Sequence, residues 1–215
     1  MAAKVLKIEH QPRLSKAAPR SARERILTTA GELFYQEGSR AVGIDTVIAE
    51  SGVAKMSLYR SFRSKDELIG AWLAGRNDRY WRWFDGIVER HPGEPRQQLR
   101  AVIRAMAERT VKPGYRGCPF LNTALDYAES RHPGHQLAIR HKQTLAARLL
   151  RICHELPARD PAALSRQLVL LINGAQATAG MLGKRTQLEL MAAAEILIDV
   201  QCRHQSSSQS ETVHR

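Results

Sequence analysis

Lys55, Met56, Ser57, Tyr59 and Arg60 crowd two cations, two hydroxyls and a thioether into six consecutive positions, while Leu58 and Phe62, spaced i, i+4, turn the other way. Such a face suits the edges of base pairs in a major groove. The planar fork of Arg60 matches guanine O6 and N7, Lys55 can donate to guanine or to phosphate, and Ser57 can serve any base. Met56 fits against a thymine methyl, and the Tyr59 hydroxyl reaches a phosphate oxygen, a contact that positions without specifying sequence.

The elements that must position these groups are legible around them. Asp45 to Ser51 and Lys55 to Ser61 read as two short helices, joined where Gly52 supplies a left-handed backbone and Val53 fills the angle between them. Ser64 and Glu67 have the spacing of a capping box, with Ser64 capping the Glu67 amide and Glu67 returning to Ser64, so a third helix starts there. Lys65 then sits in its first turn, where a cation opposes the helix dipole; a phosphate bound at that end would offset the cost, and a solvated lysine is the simpler alternative. Upstream, Ile26, Leu27, Ala30, Leu33 and Phe34 recur at helical spacing within Arg23 to Glu37, and Gly38 ends that support helix. One polar face alone is also what a small bundle shows to water; the glycine corner, the spacing and the flanks together favour DNA.

The segments R-E-R-I-L-T-T-A-G-E-L-F-Y-Q-E-G and A-E-S-G-V-A-K-M-S-L-Y-R-S-F-R-S-K-D-E-L resemble the N-terminal domain of the TetR family of transcriptional regulators, over about a quarter of the chain. The resemblance implies an all-α protein with an N-terminal three-helix helix-turn-helix domain, followed by a C-terminal helical ligand-binding and dimerisation domain. It implies base reading by Lys55 to Ser61 and phosphate contacts at Tyr59 and Lys65. Gly43 and Ile44 stand where relatives often carry a hydroxyl, although glycine still caps acceptably. Ile48 replaces a small alanine, which points to altered packing. Thr46 remains a candidate phosphate contact and Asp45 a weaker one for a cytosine amine.

Charge agrees with a polyanionic partner. The 215-residue chain carries a formal net charge of +12, and residues 1–65 hold twelve Lys and Arg against six Asp and Glu, so half the surplus sits in under a third of the length. Lys4, Lys7, Arg13, Lys16 and Arg20 form a basic arm that either lies along a duplex or is a plain solvated tail. With 43% hydrophobic residues the chain can bury a sizeable core. No apolar leader stands at the N-terminus, and the longest apolar stretch, Leu168 to Gly183, is interrupted by Asn173 and Gln176, so neither secretion nor a membrane span is expected. Three scattered cysteines, Cys118, Cys153 and Cys202, offer no disulfide framework, which suits a cytoplasmic location. His132, His135 and His141 lack standard metal-ligand spacing, and there is no Gly-rich phosphate loop, G-x-S-x-G or H-E-x-x-H. Catalytic residues, metals and cofactors are therefore not expected.

Beyond the reader segment, periodicity and breakers predict helices near 65–90, 95–112, 119–131, 134–156, 161–183 and 186–203, and nothing alternates as a strand does. Domain bounds of 1–19 for the arm, 20–66 for the reader, 67–204 for the helical domain and 205–215 for a disordered polar tail follow. Pro119 fits the first position of a helix, which makes Cys118 its cap. Small residues from Asn173 to Leu182 permit close helix approach. With the last helix they resemble the family's four-helix dimer interface, which puts Gly174, Ala177, Met181, Met191, Glu195 and Ile198 between two copies unless they pack internally. A homodimer would space two reading helices about 34–36 Å apart and so predicts a palindromic operator on double-stranded DNA. Aromatic and apolar groups along helices 65–90 and 119–131 serve either a plain core or a cavity between helices. The resemblance implies a small-molecule inducer there, with Trp81, Phe84, Met106, Phe120, Asn122, Leu125 and Tyr127 as candidate ligand contacts. The resulting expectation is a repressor released from its operator by an inducer. A ligand-independent or architectural DNA binder is the alternative.

Overall fold

A computed structural model describes residues 21–202 as nine α-helices, with no strand among those residues. The basic arm expected at 1–19 and the tail expected at 205–215 lie outside the described residues.

Local signals set the first three helices. Ahead of α1 (Ala22–Glu37), the Ser21 hydroxyl accepts from the Glu24 amide at 3.2 Å while the Glu24 carboxylate accepts from the Ser21 amide at 2.8 Å, a full capping box that the S-A-R-E spacing could have revealed. Helix α2 (Ile44–Ser51) starts at Gly43 with no side-chain cap and stops at Gly52, whose φ of 61° is left-handed. Val53 is buried in the angle, α3 (Lys55–Ser61) follows, and Phe62 ends it in an extended conformation.

The second capping box differs from its expected form. Ser64 caps the Glu67 amide at 3.1 Å, but the Glu67 carboxylate accepts from the Arg63 amide at 2.8 Å. Ser64 is extended, with φ −150°, and this brings the preceding amide rather than its own to the carboxylate. From here α4 (Lys65–Val88) runs on as the longest helix, shared by both halves of the molecule.

Helices α5 (Pro95–Thr110), α6 (Pro119–Asp126), α7 (Pro133–His154) and α8 (Pro161–Leu182) each begin with proline, whose missing N–H and fixed φ suit the first turn; α9 (Arg185–Cys202) closes the described chain. Helix α6 stops at Asp126, five residues short of the expected 131. Tyr127 turns extended there so that its ring stacks on His132, 3.8 Å between centroids, and its hydroxyl donates to the Ser39 carbonyl at 3.1 Å. That tertiary docking outweighs the helical pattern of the residues beyond.

Two cores result. One gathers Leu99, Met106, Leu145, Leu149, Leu168 and Ile198 between α4, α5, α7, α8 and α9. The other joins Ile26, Phe34, Val47, Leu58 and Phe62 to Leu68, Trp72 and Leu73 of α4 and to Cys118, Phe120 and Ala138. A boundary at 66/67 thus falls inside α4, and the reader's core continues through Leu73 and onto α6 and α7.

Candidate nucleic-acid interface

Burial of Leu58 and Phe62 fixes which way α3 faces, because those two positions are nearly free of solvent contact. Lys55, Met56, Tyr59 and Arg60 are consequently exposed, Met56 at 69% and Tyr59 at 45%, and Ser57 is half-buried beside them. Thr46 is exposed at the start of α2. Asp45, also exposed, pairs with Lys55 at 3.5 Å, a contact that a duplex would compete for at little cost because both groups face water. Lys65 departs from the simple picture. Its ammonium donates to the Arg40 carbonyl at 3.0 Å and is half-buried, and burial pulls its pKa below the ordinary lysine value. Two N–H groups remain for an anion.

The α1–α2 turn is strapped to the rest of the molecule. Asp126 accepts from the Ser39 hydroxyl at 3.0 Å through its carboxylate and from the Arg40 guanidinium at 2.9 Å through its carbonyl, next to the Tyr127 contact. His132 lies 3.3 Å from Asp66. Asp126 and Tyr127 thus hold the reader, whereas the sequence suggested Tyr127 as a ligand contact.

A cavity of about 370 Å³ opens between α1, α4, α5, the start of α6 and α8. Of the seven expected contacts, Met106 and Phe120 line it. The others serve elsewhere. Phe84 is fully buried in the core, and Trp81 donates to Asn77 at 2.8 Å under the Arg148 guanidinium. Asn122 donates to the Arg116 carbonyl at 2.8 Å, and Leu125 is 75% exposed. The wall instead takes Arg76, Arg79, Tyr80 and Trp83, one face of α4 at i, i+3, i+4, i+7, with Arg109, Tyr115 and Tyr35. The R-x-x-R-Y-x-x-W spacing carried that signal, but Trp81 and Phe84 form an equally good helical pair, and only packing decides which pair faces the cavity.

His141 backs this wall. It stacks on Phe120, 3.6 Å between centroids, and its Nδ1 lies 2.9 Å from Asn77 Oδ1. The Trp81 indole can only donate, so the Asn77 atom it shares with His141 is an oxygen and His141 donates from Nδ1. Burial, helped by Lys142 and Arg109, pushes the His141 pKa down to about 3, and the ring is neutral at physiological pH.

On the far side, α8 exposes Leu170, Gly174, Ala177 and Met181, and α9 exposes Leu188, Ala192, Ile196 and Val200. Gly174, Ala177 and Met181, expected between two copies, lie on the exposed face of α8. The α9 face is corrected: Ile198 is fully buried, Glu195 pairs with Arg96 and Arg100 of α5, and Met191 lines a hollow toward α5. Ala192 and Ile196 occupy the outward positions of that helix.

Residues 26–72 match the family model described as bacterial regulatory proteins, tetR family. A solved TetR-family transcriptional regulator of Streptomyces coelicolor is 31% identical, with a TM-score of 0.81, over 84% of this chain and 90% of that one. The HTH-type transcriptional activator FasR of Mycolicibacterium smegmatis is 36% identical over 90 residues, and the HTH-type transcriptional regulator YxaF of Bacillus subtilis is 46% identical over 48. Those stretches cover 40% and 22% of this chain, and 40% and 25% of the respective relatives.

Proposed function

The chain belongs to the TetR family of transcriptional regulators, DNA-binding proteins and not enzymes, and we propose that this member is a repressor released from a palindromic operator by a small-molecule inducer. The observation that carries the reading is the split of α3 into a buried Leu58 and Phe62 and an exposed Lys55, Met56, Tyr59 and Arg60. Arg60 and Lys55 supply base-edge donors, while Thr46, Tyr59 and Lys65 hold phosphates. The protein acts in the cytoplasm, and no helix among the described residues is long and apolar enough to cross a membrane.

Two copies associate through the apolar stripes of α8 and α9. Contiguous exposed apolar side chains on neighbouring helices mark a protein-facing surface, and a twofold axis there makes the patch self-complementary. Met181→Asp combined with Ile196→Asp, at positions 78% and 63% exposed, leaves the monomer core intact and should yield monomers that no longer retain an operator.

The inducer acts through differential affinity for two reader spacings, since only such a difference shifts an equilibrium. Tyr35 of α1 forms part of the cavity wall, so the ligand and the reader share a residue. An activator is the second reading, favoured by the similarity to the activator FasR, which is 36% identical over 90 residues. A reporter driven by a promoter carrying the selected operator tests the choice. Deleting the regulator should raise expression; a fall would overturn repression in favour of activation.

A further inference from the structure

Three arginines face the same cavity, and no lining residue is a carboxylate. Arg76 is half-buried and lies over the Tyr35 ring at 4.5 Å; Arg109 is half-buried and lies over Trp83 at 4.8 Å; Arg79 is exposed at the mouth. None of the three takes part in an ion pair among the described residues. Glu32, which borders the adjoining groove, is exposed and pairs with none of them. Half-buried arginines elsewhere are paired: Arg96 and Arg100 meet Glu195 and Asp199, and Arg148 meets Asp85. Among the described residues, this cavity thus gathers three guanidinium groups with no carboxylate paired to any of them.

Gathering these cations is costly in itself. Burial draws the Arg76 pKa below its ordinary value, and Arg79 and Arg109 add repulsion. Aromatic faces offset part of this through cation–π contact, but a guanidinium is best matched by a planar or tetrahedral oxyanion that takes two of its N–H groups. Tyr80 and Tyr115 also line the cavity, and burial pushes both phenols up, so they stay protonated as donors. Trp83, Met106 and Phe120 add apolar surface to the same lining, with Trp83 beneath Arg109.

We propose that this cavity takes an amphipathic organic anion, a carboxylate or phosphate head held by Arg76, Arg79 and Arg109 on an aliphatic or aromatic body held by Trp83, Met106 and Phe120. The inference rests on the effector-controlled reading above and names the chemical class of the effector. Its volume, about 370 Å³, stands at the small end of ligand sites, which favours a compact metabolite-sized anion.

Calorimetric titration of the full chain tests it with octanoate and cinnamate, each against its own primary amide, and with octyl phosphate to distinguish the head groups. At least one acid or the phosphate should bind tenfold or more tightly than the matching amide. Arg76→Gln and Arg109→Gln should each weaken the anion by roughly ten- to hundredfold and leave the amide unmoved. Arg82→Gln, on the exposed side of α4, serves as the charge control and should change nothing. Equal binding of acid and amide, no anion binding at all, or unaltered affinity in both variants overturns the proposal. Retained operator binding by the ligand-free variants excludes misfolding. An anion that binds without altering operator affinity would contradict the inducer reading and leave the anion site standing, so the two failures are distinguishable.

Discussion

The Tyr35 hydroxyl donates to the Gly117 carbonyl at 3.1 Å and accepts from the Arg116 amide at 2.9 Å, so one atom of α1 is fastened to the loop that forms the cavity wall. Gly117 has φ +87°, and a side chain there would approach the Gln176 carbonyl at 3.2 Å, which keeps the loop close against α8. Arg76 lies over the same ring at 4.5 Å. Any ligand that moves this loop or engages Arg76 acts on the helix that supports α2 and α3.

Tyr35→Phe should therefore cost about 1 kcal/mol of stability, because a carbonyl and an amide lose a shared partner. Urea denaturation measures this directly. A variant as stable as the parent would mean that the link carries no energy.

Gly31→Ala separates helix propensity from packing. In the middle of α1, alanine alone should stabilise by about 1 kcal/mol. Its added Cβ would lie 2.7 Å from the Trp72 ring, however, and the indole is wedged against Phe34, so a net loss of roughly 1–3 kcal/mol is expected. A rise in melting temperature would refute the close α1–α4 contact.

Arg60 and Lys65 should differ in kind. Arg60→Ala should cost roughly 1–3 kcal/mol at one base position and relax discrimination there, whereas Lys65→Ala should weaken all sequences alike and lower the salt slope by about one. The Lys65 contact to Arg40 adds a small loss of stability to the second variant. Gel-shift titration on an operator and its single-base variants reads both effects; unchanged discrimination by Arg60→Ala would exclude it as a base reader.

His141 links stability to pH. Its folded pKa of about 3 lies below the ordinary 6.5, so the unfolded chain binds the extra proton first and stability is lost as pH falls through 6.5 toward 3. Between pH 7 and pH 5 the parent should lose about 2 kcal/mol that His141→Phe does not, by the linkage of one pKa unit to about 1.4 kcal/mol. Asn77 keeps its Trp81 donor in that variant. Parallel stability profiles for the two proteins would contradict the buried neutral ring.

Much of the reader was legible because its signals are local. Gly38, Gly52 and Ser64 mark helix ends within a few residues of themselves, and Leu58 with Phe62 fixes the orientation of α3. The cavity was not legible in the same way. Tyr80 with Trp83 and Trp81 with Phe84 are interchangeable on a helical wheel, and Arg109 reaches the site from another helix. The inward face of α9 was missed for a similar reason: Ile196 and Ile198 are alike in chemistry, and the pairing of Glu195 with two arginines of α5 decides which is buried. Helix α6 ended early because Tyr127 leaves it to reach Ser39, 88 positions away in sequence.

Selection of bound fragments from random duplex DNA by the full chain tests paired reading through α3 most directly. Dimeric binding predicts an enriched palindrome whose half-site centres lie one helical turn or a multiple of it apart, lost when Arg60 is replaced by alanine. Recovery of fragments with no shared sequence, or of a single asymmetric site bound by a monomer, would contradict it.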